Sequence, residues 1–353
     1  KLNAGSQFSV VFDALLDATG ATWVLYTEVD ASFAGHTFVT RETPAGFEVL
    51  PEILLAGALG RPIAFHIDAV GAVRVLMAYG SNPNLDVRVA LYDGASWVQD
   101  GASFGPVPFP AGAATPSGDF LIGYAPTITG IKVGRTATWS AGAWTSFAHA
   151  ITGATATSLG RPTPILWNGA VHAVIRDGLA GRLLRADTGG WVTVVEDLGV
   201  LPDGEFHEYY LAVGSARLFA IYWETTGAVT NPSPRVVAVD GATAIQLGGG
   251  VTAPAPPPGA GSEHGDIIVI GDTPVVTWWQ FYLGQAASAA KPNHLFVARV
   301  NSDTWELLGS SLNDLPALGT YDSQLAGDCE ALWGFHSEIQ ANGIRHLEAK
   351  RWE

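Results

Sequence analysis

Residues 162–196, PTPILWNGAVHAVIRDGLAGRLLRADTGGWVTVVE, decide how the chain is read. Residues 162–167 form a β-rich run that ends at Asn168-Gly169, a dipeptide suited to the left-handed backbone of a two-residue hairpin. Residues 170–175 run back as a second strand. A loop leads to residues 183–187. Thr188-Gly189-Gly190 then turns into Trp191, which opens a fourth run ending at Glu196. Strands with turn signals between them, and no helical periodicity, predict one four-stranded antiparallel sheet.

The unit recurs. Each copy carries a turn rich in Gly, Asp, Asn or Ser, followed by an aromatic residue that opens a β-rich run. The clearest copies are Asp93-Gly94-Ala95-Ser96-Trp97, Ser140-Ala141-Gly142-Ala143-Trp144, Thr188-Gly189-Gly190-Trp191 and Asn301-Ser302-Asp303-Thr304-Trp305. Weaker copies end at Phe8, Phe47 and Ala244. Positions 8, 47, 97, 144, 191, 244 and 305 tile all 353 residues in seven steps. A period of about 50 residues with about four strands in each is the pattern of propeller blades. The tryptophans at 97, 144, 191 and 305 are expected to pack between blades.

The pattern resembles the seven-bladed β-propeller superfamily over essentially the whole chain. Gly60-Arg61-Pro62 and Gly160-Arg161-Pro162, each leading into an inner strand, are similar to blades of BNR-type propellers in sialidase-like and polysaccharide-lyase-like proteins. The sialidase Asp-box, the WD40 dipeptides and the Kelch signature are absent. The expectation is an all-β, single-domain propeller with blades near 13–54, 60–104, 105–152, 160–200, 207–251, 264–313 and 320–353. The last blade is expected to be completed by residues 6–12, so that the N-terminal strand pairs with the C-terminal blade. Sharing a blade between the two ends would remove two exposed sheet edges.

Composition narrows the function. Of 353 residues 48% are hydrophobic, and only 14% are charged against roughly 25% in average soluble proteins. That excludes a disordered chain. Eighteen Lys and Arg against 33 Asp and Glu give a net charge of −15, which argues against a nucleic-acid face. A single cysteine, Cys329, allows no intrachain disulfide. Residues 273–290 carry no charge, but Pro274 and Gly284 and a short apolar part mark them as a buried strand and a small-residue loop, with no membrane insertion. The chain begins at Lys1 without an apolar leader, so a leader or an initiator methionine is expected to precede it. The proline-rich stretch 254–261 reads as an insertion between blades.

In a propeller, the connection leading into a blade and the one joining its second and third strands open on the same end, where function usually sits. Arg61, Arg161, His207, His264 and Asp322 start inner strands. Glu224, Arg235, His294 and His336 are assigned to second-to-third-strand loops, and Trp223, Trp279 and Tyr282 offer aromatic platforms. Trp278 and Trp279 are adjacent, so on a strand they face opposite sides and at least one is core. The ligand-binding set is therefore Arg61, Arg161, His207, His264, Trp223, Trp279, Tyr282, His294 and Asp322. No catalytic, cofactor or metal motif is expected: there is no His-x-x-x-His, phosphate loop or nucleophile elbow.

These residues predict a non-enzymatic recognition or assembly module on a secreted or virion surface, of tail or appendage type. Its partner would be a glycan, a host-surface ligand or sister subunits. The alternative is a uronate-glycan lyase, because the similar BNR-type propellers include such enzymes. Arg61 or Arg161 would neutralise the carboxylate, His207 or His264 would take the proton, and Tyr209 or Tyr282 would protonate the leaving oxygen.

Overall fold

The computed structural model describes residues 8–352 apart from 82, 129–130, 153–158, 179, 200–208, 225–232, 250–259, 283–293, 310–319 and 340–344. All described elements are strands, and they form seven antiparallel blades. Blade one contains β1 (Phe8–Leu16), β2 (Thr22–Val29), β3 (Gly35–Thr43) and β4 (Gly46–Val49). Blade two contains β5 (Arg61–Ile67), β6 (Val73–Ser81), β7 (Asn84–Tyr92) and β8 (Trp97–Gln99), with β9 (Phe104–Val107) also pairing to β7. Blade three is β10 (Ala111–Ala114), β11 (Phe120–Tyr124), β14 (Arg135–Ser140) and β15 (Ala143–Ser146). A small ribbon of β12 (Thr127–Ile128) and β13 (Ile131–Lys132) lies between its second and third strands in sequence. Blade four is β16 (Thr163–Trp167), β17 (Ala170–Asp177), β18 (Ala180–Asp187) and β19 (Gly190–Val195). Blade five is β20 (Tyr210–Val213), β21 (Leu218–Glu224), β22 (Ser233–Asp240) and β23 (Thr243–Gln246). Blade six is β24 (Ala260–Ile270), β25 (Thr273–Tyr282), β26 (His294–Val300) and β27 (Trp305–Leu307). Blade seven is β28 (Thr320–Gly327), β29 (Leu332–Ile339) and β30 (Arg345–Trp352).

Local chemistry explains these boundaries. Asn168 and Gly169 adopt φ of 49° and 72°, the left-handed pair that a two-residue hairpin needs. Packing groups the chain into two compact units. One is Asp17–Leu25 with Gly35–Gly199; the other is Lys1–Leu16, Tyr26–Ala34 and Val200–Glu353. We refer to them as the early and the late unit.

In the early unit the repeated tryptophans act as pins. Trp97 Nε1 donates to the Pro51 carbonyl at 2.7 Å, Trp144 Nε1 to Ala102 at 3.0 Å and Trp191 Nε1 to His149 at 3.1 Å. Each bond reaches back to the segment that leaves the previous blade. The ring brings apolar area, and the bond satisfies its one donor, for a net gain of about 1 kcal/mol each. Between blades two and three, Leu76, Val87, Val89, Phe120, Ile122 and Trp139 form one sealed cluster. In the late unit Trp305 takes the equivalent place. Gly248, at φ 72°, lies under its indole, and a Cβ there would collide with the ring nitrogen.

The N-terminal strand departs from the sequence expectation. β1 hydrogen-bonds to β2 within blade one, and among the described residues blade seven has three strands. β1 instead lies beside β28. The reason is local. Asp17 Oδ1 accepts the Thr19 and Ala21 N–H groups at 2.8 and 3.1 Å, building a five-residue turn that folds β1 back onto β2. Closing so short a loop costs far less entropy than pairing strands at opposite ends of the chain.

Candidate functional site

The early unit holds Arg61 and Arg161. Arg61 is exposed and opens β5 just after Gly60, which lies so close to the Tyr79 ring that a Cβ would strike it. Arg161 precedes β16, and its Nη1 makes a long 3.5 Å bond to the Phe109 carbonyl before β10. This is a link from blade four back to blade three. The glycines of the two Gly-Arg-Pro openings serve close packing: Gly160 sits 3.1 Å, measured from an ideal Cβ, from the Arg176 Cβ.

The late unit holds the remaining candidates. Its inner strands are irregular at two of them. In β24, Glu263 pairs with Trp279 and Gly265 with Trp278, so His264 is the extra residue of a bulge. In β28, Tyr321 pairs with Ser337 and Ser323 with His336, so Asp322 is the extra residue there. Bulges re-aim side chains and gather near functional sites. The early unit has the same irregularity in β5 at Ile63, between the Pro62 and Ala64 pairings. The bulge thus recurs on inner strands, and the two described in the late unit carry ionisable residues. Gly265 makes the β24 bulge possible, because any Cβ there would collide with the Thr277 carbonyl. His207 and the side chains of His264, Tyr282, Asp322 and Glu224 lie outside the described residues.

The aromatic candidates with described side chains lie within blade packing. Trp223 is 3% exposed and sits among Ile221, Ile267, Val276 and Trp278, edge-on to Tyr210 at 5.8 Å. Trp278 belongs to this cluster, between blades five and six. Trp279 faces the other way, against Val275, Leu295, Leu325 and Leu332 between blades six and seven. Tyr209 is buried, with its ring 5.4 Å from that of Tyr222.

His294 starts β26 opposite Gln280. Burial lowers its pKa, so the imidazole is neutral at pH 7. Its Nδ1 is buried and has no hydrogen-bond partner among the described residues. Arg235 lies within β22, opposite Tyr222, and His336 lies within β29; neither is in a loop. His336 and Glu338 are two residues apart, hence on one face of the strand. Their side chains are 3% and 1% exposed, and Nε2 lies 3.5 Å from Oε2. On the neighbouring strand, Ser323 meets the Thr277 hydroxyl at 3.2 Å, and Thr277 also donates to the Phe296 carbonyl. A buried polar seam therefore runs between blades six and seven.

Sequence reasoning missed Asp266. Its carboxylate accepts the Ile267 N–H and, across the gap between blades, the Leu325 N–H at 2.8 Å each. Burial pushes its pKa up to about 6 against this partial relief. The available signal was an acid at the head of the apolar run Ile267-Ile268-Val269-Ile270. Among the described residues no group of three His, Cys, Asp or Glu side chains could hold a metal ion. Cys329 is exposed in the turn after β28.

No known family and no curated protein matches the chain at a significant level. Solved structures do. Pyrococcus horikoshii acylaminoacyl peptidase superposes with a TM-score of 0.54 at 9% identity, covering 99% of this chain and 52% of that one. The β-propeller domain of the Trilobed protease from Pyrococcus furiosus, described as having an open velcro topology, gives 0.52 at 10% identity, covering 99% and 96%. Trypanosoma rangeli sialidase gives 0.50 at 12% identity, covering 97% and 55%. The chain thus spans about half the length of the peptidase and of the sialidase. At such identities the likeness is one of fold: the chain is a seven-bladed β-propeller.

Proposed function

We propose that the propeller is a non-enzymatic recognition module. It binds a glycan or sister subunits through the connections at one end of its blades, on a secreted or virion surface. The observation that carries this reading is the fate of the described candidates. Trp223, Tyr209 and His336 are buried in blade packing, and Arg161 reaches a backbone carbonyl of the neighbouring blade. Such groups build a rigid frame, and recognition then falls to the connecting segments, where sequence can vary without upsetting the core. Net charge adds a preference. At −15 the chain repels anionic polymers within a Debye length of about 8–10 Å, which favours uncharged ligands. The turns before Trp97 and Trp305 share one side-chain-capped design. Asp93 Oδ1 accepts the Ala95 and Ser96 N–H groups, and Asn301 Oδ1 accepts those of Asp303 and Thr304.

The test is an array of neutral and uronate-containing glycans probed with the whole chain, with ultraviolet absorbance followed for unsaturated products. Binding to neutral glycans without product formation is the expected result. Accumulation of unsaturated uronates would replace this reading with that of a lyase.

A further inference from the structure

Four turns in the molecule share one design. They are Asp17-Ala18-Thr19-Gly20-Ala21, Asp68-Ala69-Val70-Gly71-Ala72, Thr115-Pro116-Ser117-Gly118-Asp119 and Asp30-Ala31-Ser32-Phe33-Ala34. In each, the N–H of the first residue donates to the carbonyl of the fifth, at 3.0, 3.1, 2.8 and 3.0 Å respectively. The N–H of the fourth donates back to the carbonyl of the first, at 3.0, 2.9, 3.0 and 3.0 Å. In the three Asp turns the carboxylate Oδ1 also accepts the N–H groups of the third and fifth residues.

The fourth position is left-handed in every copy. Three copies place glycine there, at φ 80°, 83° and 86°; the remaining one places Phe33, at φ 63°. A non-glycine residue in that region costs about 1–2 kcal/mol. Packing does not repay it, because Phe33 is 76% exposed. A residue that breaks a local rule kept elsewhere in the same chain, without a packing return, is the mark of a functional position.

Its location agrees. The three glycine turns join first to second strands, whereas the Phe33 turn joins β2 to β3, a second-to-third-strand connection. The turn is also preorganised. Asp30 Oδ1 takes two N–H groups and the Ser32 hydroxyl, which donates at 2.7 Å. The ring is therefore held out on a fixed backbone with only two side-chain torsions to freeze on binding. Its neighbours on the turn are Ala31, Ser32 and Ala34, too small to make the broad apolar patch a protein partner needs. A lone exposed aromatic face suits the C–H face of a sugar ring.

We propose that Phe33 is a ligand-contacting residue that stacks on a neutral saccharide. The assignment rests on the recognition reading above. The experiment compares the whole chain with Phe33→Gly and Phe33→Tyr, measuring thermal unfolding and affinity for neutral β-glucan, mannan, galactan and chitin oligosaccharides. Phe33→Gly copies the sister turns, so it should melt a few degrees higher while binding about tenfold more weakly. Phe33→Tyr should keep the affinity. A lower melting temperature for Phe33→Gly would show a packing role and overturn the assignment. So would unchanged affinity in a protein that does bind the panel, which leaves the recognition reading intact. A wild-type chain that binds none of the oligosaccharides overturns both.

Discussion

The two compact units solve the same problem of joining blades in different ways. The early unit uses indole N–H groups aimed at backbone carbonyls one repeat back, with aliphatic and aromatic side chains filling the gaps. The late unit fills part of its gap with polar groups: Asp266 reaching Leu325, Thr277 meeting Ser323, and the sealed His336–Glu338 pair. In blades two and four Ser81 pairs with Asn84 and Asp177 with Ala180, so their second and third strands join closely, whereas in blade three residues 125–134, with the β12–β13 ribbon, lie between them. In blades five, six and seven the corresponding connections are residues 225–232, 283–293 and 340–344. Buried polar groups stabilise little by themselves but fix one arrangement of what surrounds them. The early unit thus ties its blades with indole bonds, and the late unit adds buried polar contacts that restrict how blades six and seven pack.

The largest effect that would break this contrast is expected at Gly265. Gly265→Ala drives a Cβ into the Thr277 carbonyl and should cost about 4 kcal/mol or more in chemical denaturation. The control is Gly169→Ala, where nothing crowds the Cβ and only a positive φ opposes it, at about 1 kcal/mol. Equal losses at the two sites would mean that the β24 bulge is not a tight feature.

A smaller effect concerns pH. Asp266 has its carboxyl raised from 3.8 to about 6 in the fold, so its ionised form opposes folding. The associated stability is full below about pH 4 and is lost as pH rises through about 6, on the order of 2–3 kcal/mol. Asp266→Asn, which keeps an accepting oxygen, should be more stable than wild type at pH 7.5 and should flatten the profile between pH 4 and 7. An unchanged profile would remove Asp266 from the account of the late unit.

The smallest effect belongs to the early unit. Trp191→Phe keeps a ring and removes the bond to His149, and should cost about 1 kcal/mol. A loss several times larger would mean that the early unit relies on polar ties as heavily as the late one.

Much of this architecture was legible in the sequence. The turn-then-aromatic period gave seven blades, and Trp97, Trp144, Trp191 and Trp305 lie between blades as their spacing implied. The partner of β1 was not legible, because strand alternation names a buried face and never a neighbouring strand. The signal lay in residues 17–21, which share their turn with residues 68–72. The sequence predicts a loop at His336, yet the strand face Leu332, Gly334, His336, Glu338 stays buried as it turns polar toward its end. The bulges at His264 and Asp322 arise from hydrogen-bond register, which no residue type announces.

The backward reach of the indoles has a consequence for a nascent chain. The stretch at Pro51 gains its tie only when Trp97 has been synthesised, and those at Ala102 and His149 wait for Trp144 and Trp191. At about 5–20 residues per second, each of these three exits stays unlatched for seconds behind the ribosome. A chain that stops short of Trp191 therefore ends with at least one blade exit lacking its latch.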